Sequence, residues 1–261
     1  DASYALRIIF SYENQLPFKM RNPSGSRRGQ NRYLTNQISK FDRTSNLDRR
    51  VVSFINYIAG IVGTESLVRN DTFSPSLKSI RAGDLFMYMS RGRWGKSIRH
   101  SYNIKRVNPT GDFALIYSTQ ALARARKPMN LREHRMFSHA PHNPWGFRRF
   151  KWPRLASVDP VNYPPETGYS LEQFSLVKEL GSKKFFKYVS NLLKSSDLMP
   201  GELLETKLSG LCKEAQARIE YVNQGVDHAN RTNWRCMNYA DFDAYSTPSR
   251  DALLVNLYQQ L

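Results

Sequence analysis

Three short segments in the middle of this chain restrict its fold more than any other feature of the sequence. A Gly83-Asp84 turn precedes the apolar run 85–89, and residues 100–107 alternate between polar and apolar side chains. A turn of composition Asn-Pro-Thr-Gly-Asp then leads into residues 113–118. Alternation with a period of two is typical of strands with one buried face, and a glycine-containing turn between two such runs predicts a hairpin. These segments predict a small antiparallel sheet.

Helical periodicity appears on both sides of the predicted sheet. Residues 2–14 carry apolar side chains at helical spacing, and residues 51–59 do so again after a cap at Asn46 or Asp48. Three later segments, 170–180, 183–194 and 202–221, have the pattern of amphipathic helices. The sequence therefore predicts an α+β protein with a mainly helical C-terminal segment.

The domain organisation is predicted from composition. Residues 124–165 are rich in Arg, Pro and aromatic side chains and have the composition of a loop, and the proline-rich linker 159–165 is the best candidate boundary. We therefore expect a domain over residues 1–165 and a helical domain over residues 166–261.

Charge is distributed unequally between these two parts. Residues 1–165 contain 28 Lys and Arg against 10 Asp and Glu, a net charge of 28 − 10 = +18. Residues 166–261 contain 11 against 12, a net charge of −1. A positive field on one part alone indicates an anionic partner, and nucleic acid, a cell-wall polymer and a lipid surface all qualify.

Cysteine and histidine contents limit the possible chemistry. The two cysteines, Cys212 and Cys236, exclude a dense disulfide scaffold; they form one disulfide in an exported protein or are two buried thiols. Glu133, His134, His139 and His142 contain suitable zinc ligands, but their spacing matches no helical face. We expect neither a metal nor another cofactor. No apolar run approaches the ~18 residues of a membrane span.

The order of elements resembles the papain-like superfamily, in its NlpC-type branch of cell-wall amidases and cysteine peptidases. More narrowly, it is similar to a bacterial domain of uncharacterised function whose first helix opens with Cys-Ala-Asp-Ala. The matching positions cover roughly residues 1–150 and are Asp1-Ala2, Leu6-Arg7, Tyr57, Gly63-Thr64, Ser66-Leu67, Gly83-Asp84-Leu85-Phe86, His100, Tyr117-Ser118 and Pro144-Trp145.

This resemblance implies a catalytic site. In such enzymes, a thiolate at the start of the first helix is activated by a histidine on a neighbouring strand, which a third polar group orients. His100 has the position of the general base, and Tyr117 or Ser118 that of the orienting group. The resemblance further implies Asp1, Thr64, Ser66 and Trp145 as substrate-contacting residues.

The nucleophile itself is not visible, since residues 1–211 contain no cysteine. The chain begins in the middle of the expected motif, so we expect the cysteine two residues before Asp1. Otherwise Ser3 takes its place, or the site is inactive.

Three functions follow from these alternatives. The first is a periplasmic or cell-envelope hydrolase that cleaves an amide of peptidoglycan or a related peptide. The second is a non-catalytic nucleic-acid-binding protein, and the third is a degenerate enzyme fold that binds an envelope polymer.

Overall fold

The computed structural model describes residues 2–25, 32–91, 97–118, 129–195, 199–238, 241, 245 and 248–259. Within them the chain is a mixture of helices and two antiparallel sheets. The strands are β1 Lys19–Arg21, β2 Tyr33–Thr35, β3 Thr72–Phe73, β4 Leu85–Arg91, β5 Ser97–Val107, β6 Phe113–Tyr117, β7 Asn130–Arg135 and β8 Gly146–Phe150. β1 pairs with β2, and the other six strands form one sheet in the order β3-β8-β4-β5-β6-β7.

Helices flank this six-stranded sheet. They are α1 Ala2–Glu13, α2 Leu47–Ile61, the single turn α3 Thr64–Ser66, α4 Glu172–Leu193, α5 Pro200–Arg231 and α6 Pro248–Tyr258. A π-helical turn, Leu67–Asp71, links α3 to β3. The predicted cap of α2 is confirmed, because the Asn46 side chain accepts a hydrogen bond from the Arg49 N–H at 2.9 Å.

Alternation along the strands divides the interior into two cores. On β4, Leu85 and Met87 face a first core that contains α1, α2 and the β1–β2 hairpin. Phe86, between them, faces a second core that contains α4. Each face of the sheet therefore buries a different set of helices, because consecutive strand residues point in opposite directions.

The loop predicted for residues 124–165 is wrong in two places, since β7 and β8 are strands of the main sheet. β8 even lies between β3 and β4, although it contains Arg148 and Arg149. Arginines seldom lie in a sheet interior, so composition alone favours a loop. Both side chains donate hydrogen bonds to distant residues, Arg148 to the Thr72 carbonyl and Arg149 to the Asp84 carboxylate, which the local sequence does not show.

The predicted boundary near residue 165 does not separate two cores. Phe185 and Phe186 of α4 belong to the core beneath the main sheet. The Gln173 side chain of α4 accepts a hydrogen bond from the Phe147 N–H of β8 at 2.8 Å, and donates one to its carbonyl at 3.0 Å. Residues 172–193 therefore complete the sheet domain. The reason is packing, because the apolar side chains of α4 are buried in the second core, against the main sheet.

Two further findings concern the whole chain. Cys212 and Cys236 are both free and exposed, so neither the predicted disulfide nor the predicted burial is present. Among the described residues, no single helix is both long and apolar enough to cross a membrane. The helical segments Leu47–Ile61 and Thr64–Asp71 are together long and apolar enough to span a membrane, but they are bent by 91° relative to each other.

Candidate functional site

The first helix meets β5 through two serine hydroxyls. The Oγ of Ser3, in the first turn of α1, lies 3.3 Å from the Oγ of Ser101. Ser3 is only 1% exposed, so its hydroxyl is enclosed between helix and sheet. The strand residue that faces the start of α1 is therefore Ser101.

The ring of His100 lies on the other face of the sheet. Its centroid is 5.0 Å from that of Tyr102, 5.9 Å from Tyr88 and 6.0 Å from Tyr117. Tyr88 is the β4 partner of His100 and packs against the second core. A base must reach its nucleophile directly or through one water. The Ser3 hydroxyl meets Ser101 and not His100, so the alternative in which Ser3 replaces the cysteine has no base beside it among the described residues. The pairing of His100 with a cysteine before residue 1 stays a prediction.

The surroundings of His100 keep its ring uncharged. Burial, assisted by the nearby Arg132 guanidinium, lowers the pKa of His100 to about 4. Burial also raises the pKa of Tyr88 and of Tyr117 well above the ordinary value of a tyrosine. At neutral pH this face therefore presents a neutral imidazole among protonated phenols, as expected for packed aromatic side chains.

One of the two predicted orienting residues, Tyr117, lies close to His100. Tyr117, on the next strand, meets the His100 ring at an interplanar angle of 72°, and the Arg132 Cζ lies 4.5 Å from the Tyr117 ring centroid. Ser118 follows β6 and is partly buried. The structure thus brings His100 and Tyr117 together in an aromatic contact.

The predicted substrate-contacting residues have different surroundings. Asp1 lies outside the described residues. Thr64 and Ser66 form α3, where the Ser66 Oγ donates to the Gly63 carbonyl at 2.8 Å. Trp145 is 2% exposed within the first core, so its indole offers no surface to a substrate.

The histidine cluster considered as a metal site is divided among separate partners. Glu133 pairs with Arg106 at 2.9 Å, His134 with Asp112 at 3.2 Å, and His139 stacks on Tyr88 at 3.8 Å. In the part of the chain that the structure describes, no group of three or more His, Cys, Asp or Glu side chains is placed to hold a metal ion.

A cleft of about 520 Å³ lies between the β1–β2 hairpin, the π-helical turn and residues 156–160. Four cationic side chains line it: Arg21, Arg32, Arg69 and Lys151. Asp159 is the one acidic side chain among its described lining residues, which gives the lining a charge of 4 − 1 = +3. We call this the larger cleft.

The cations of the larger cleft are closely spaced around Tyr33, and some of them are partly buried. The Lys19 Nζ lies 4.5 Å from the Tyr33 ring centroid, and the Cζ atoms of Arg21 and Arg32 lie at 5.7 and 5.4 Å. The Nη1 of Arg21 is buried and has no hydrogen-bond partner among the described residues. Burial lowers the pKa of Lys151. Cations are thus held close together and partly desolvated, which favours an anionic ligand.

A smaller cleft of about 460 Å³ adjoins the larger one, and both are lined by Arg69 and Pro160. Its polar lining residues are Arg69, Arg148, Ser74, Asn143 and Tyr169, and its apolar ones are Val68, Phe73, Pro144, Pro160 and Leu171. None of these ten residues is acidic. The two clefts therefore form one positively charged surface.

Arg148 at the smaller cleft differs from its neighbour Arg149. Both are buried, with 7% and 8% exposure. Arg149 forms a two-pronged ion pair with Asp84, with both N···O distances at 2.7 Å. Arg148 donates only to neutral oxygens, namely the carbonyls of Val68 and Thr72 and the Thr72 hydroxyl. Burial lowers the pKa of Arg148 to about 10, so it stays charged at neutral pH.

Sequence reasoning missed these clefts because their residues come from five separate segments, around residues 21, 32–33, 68–74, 143–160 and 169–171. The charge excess in residues 1–165 was the available signal, but it did not show which cations converge. Within the segment 124–165, which is rich in Arg, Pro and aromatic side chains, Arg148 and Arg149 are interior residues and Phe150 packs on the first core.

The chain was compared with known proteins at three levels: family models, curated sequences and solved structures. No protein-family model matches the chain, and neither curated proteins nor solved structures give a match.

Proposed function

We propose that this chain binds a phosphate-bearing anionic polymer of the cell envelope in the two clefts. In this proposal the scaffold is a papain-like domain that works as a binding module. The observation that carries it is the convergence of five cations, Arg21, Arg32, Arg69, Arg148 and Lys151, in clefts whose described lining contains one carboxylate, that of Asp159. Two carboxylates beside the lining reduce this excess, since Glu65 pairs with Arg69 at 3.0 Å and Asp71 lies near Arg21 and Lys151.

Electrostatics supports binding at two ranges. The +18 excess of residues 1–165 attracts a polyanion over distances near the Debye length, about 8 Å at physiological ionic strength. Within the clefts, guanidinium groups donate charge-assisted hydrogen bonds to oxyanions. Long-range attraction and local hydrogen bonding therefore favour the same class of ligand.

An envelope polymer is favoured over nucleic acid for two reasons. Proteins that bind single strands expose aromatic faces on which bases stack. In the larger cleft the Tyr33 ring is already close to three cations, and Phe73 in the smaller cleft is 2% exposed. The resemblance to wall amidases also favours the envelope. The clefts thus suit phosphates better than bases.

The test compares two charge reversals of equal size. Arg32→Glu changes an exposed side chain in the larger cleft, and Lys105→Glu changes an exposed side chain of β5 outside both clefts. Binding of a fluorescent polyphosphate chain should weaken at least about tenfold in Arg32→Glu but less than about threefold in Lys105→Glu. The affinity of the wild type should fall steeply with salt.

Equal losses in the two variants would mean that only the net charge matters and that the clefts are not the site. A single-stranded oligonucleotide of equal charge serves as the comparator. Tighter binding of the oligonucleotide than of polyphosphate would replace the envelope polymer by nucleic acid.

The amidase is the second candidate, and the packing of α1 on β5 favours it. The contact of Ser3 with Ser101 in place of His100 counts against the version in which Ser3 is the nucleophile. We therefore expect no release of peptide from peptidoglycan fragments. Cleavage by the chain, extended to include any cysteine that precedes residue 1, and lost in His100→Ala, would restore the enzyme hypothesis.

A further inference from the structure

The hydrogen bonds of Arg148 leave one end of its guanidinium for a ligand. A guanidinium has five N–H donors. The Nε donates to the Thr72 Oγ1 at 3.1 Å, and the Nη2 donates to the carbonyls of Val68 and Thr72 at 2.9 and 2.7 Å. Three donors are therefore used, and the two on Nη1 have no partner among the described residues.

The charge of Arg148 is also uncompensated within the described part of the chain. An arginine keeps its proton at any ordinary pH, and a buried charge without a counter-ion is unfavourable by several kcal/mol. The adjacent Arg149 meets this requirement with Asp84. The smaller cleft has no acidic lining residue, so a counter-charge for Arg148 in the cleft has to come from a ligand.

The geometry of the bound guanidinium selects the type of anion. A carboxylate pairs best with two parallel N–H groups from neighbouring nitrogens of the fork. The Nε and Nη2 donors are occupied by protein oxygens, so this two-pronged pairing is blocked. A phosphate has several oxygens and can accept both hydrogens of Nη1 while other oxygens face Arg69, Asn143 or Tyr169.

We propose that the smaller cleft is a seat for one phosphate group, bound by the Nη1 of Arg148. This inference rests on the proposed function and names the ligand group at that site. Pro144, Pro160 and Leu171 form apolar walls around the seat, while Arg69 lies between it and the larger cleft. A terminal phosphate of the polymer occupies the seat, and the rest of the chain passes Arg69 towards Arg21, Arg32 and Lys151.

The test introduces a carboxylate beside the seat without altering Arg148, whose replacement would leave buried carbonyls unsatisfied. Leu171 lines the smaller cleft, is 47% exposed and precedes α4, where a negative charge also suits the helix dipole. Leu171→Glu should weaken the binding of inorganic phosphate, measured by calorimetry at constant ionic strength, at least about tenfold.

The matched control is Val52→Glu, which adds the same charge at a 55% exposed position of α2 outside both clefts. This variant should bind inorganic phosphate within about twofold of the wild type. Acetate should bind more weakly than phosphate to the wild type. Equal affinities for acetate and phosphate, or equal affinities of Leu171→Glu and Val52→Glu for phosphate, would overturn the phosphate seat.

The outcome is separable from that of the proposed function. If Arg32→Glu loses polyphosphate binding while Leu171→Glu keeps its phosphate affinity, the clefts bind the polymer but the seat is wrong. If wild-type protein binds no inorganic phosphate yet binds polyphosphate, the seat is also wrong. If Arg32→Glu binds polyphosphate as tightly as the wild type and Leu171→Glu loses inorganic phosphate, the phosphate seat stands and the larger cleft is not the polymer site.

Discussion

The two faces of the main sheet bury polar groups in different ways, and neighbouring residues on two strands make the difference clear. On β8, Arg149 points to the face of α4 and pairs with Asp84, while Arg148 points to the face of α1 and meets only neutral oxygens. On β5, His100 points to the α4 face and Ser101 to the α1 face.

This comparison shows that the strand period decides which partners each buried side chain meets. A shift of one residue exchanges the two faces of a strand. At β8 it separates an arginine that stabilises the fold from one that remains available to a ligand. At β5 it separates a packed histidine from the serine that touches α1. Among the described residues, the buried arginine on the α4 face, Arg149, therefore has a counter-charge. The buried arginine on the α1 face, Arg148, has none among them.

The largest effect should come from the compensated arginine. Asp84→Ala should lower the free energy of unfolding by about 3–5 kcal/mol, because it leaves the buried Arg149 without its counter-charge. Urea denaturation measures this change. Glu65→Ala is the control, since Glu65 is 44% exposed and pairs with Arg69 and Arg99 at the surface. Its loss should stay within about 1 kcal/mol. If Asp84→Ala also lowered the free energy of unfolding by less than about 1 kcal/mol, the buried ion pair would not distinguish the α4 face from the α1 face.

A smaller effect should appear in the pH dependence of stability. The folded pKa of His100 is lowered to about 4, below the ordinary value of 6.5. Between pH 6.5 and pH 4 the His100 ring is protonated in the unfolded chain but not in the folded chain. Its contribution to the free energy of unfolding is therefore fully present above pH 6.5 and is lost as pH falls towards 4. The loss from this residue is up to about 3 kcal/mol.

His100→Phe should reduce this loss, which thermal denaturation at pH 7 and pH 4.5 measures. Asp71 acts in the opposite sense, since burial raises its pKa to about 6 and its contribution is lost as pH rises through that value. Because Asp71 is present in both proteins, their difference isolates His100. His142→Ala, at an exposed loop position, is the control. An unchanged pH profile in His100→Phe would mean that the ring is not desolvated.

The smallest effect should come from the hydroxyl contact at α1. Ser101→Ala should change the free energy of unfolding by about 0.5–1 kcal/mol, because one neutral hydrogen bond has a modest net value. The double variant Ser3→Ala, Ser101→Ala should be no less stable than Ser101→Ala alone, since no unpaired hydroxyl remains. A loss above about 2 kcal/mol would indicate a more tightly constrained site than two serine hydroxyls.

The sequence by itself determined the elements whose signals are local. The apolar run 85–89 after its Gly-Asp turn predicted β4, and the alternation of residues 100–107 predicted β5. A cap at Asn46 or Asp48 predicted α2, and the charge division indicated residues 1–165 as the part in which an anionic partner is expected. Each depends on side chains within one turn or one strand, so neighbouring residues suffice. The sequence also indicated that His100 and Tyr117 lie on adjacent strands, which the structure bears out.

Tertiary structure alone decided which face of each strand meets which helix. The alternation of β5 is equally compatible with His100 or Ser101 facing α1, and the choice was made by the packing of Tyr88 and Tyr102 on the second core. The strand β8 depends on residues 65 to 80 positions away in the chain. The carbonyls of Val68 and Thr72 accept hydrogen bonds from Arg148, and Asp84 pairs with Arg149. The clefts likewise require β1, β2, the π-helical turn and residues 151–160 to converge. Such contacts depend on burial and hydrogen bonding between distant segments, which no local pattern encodes.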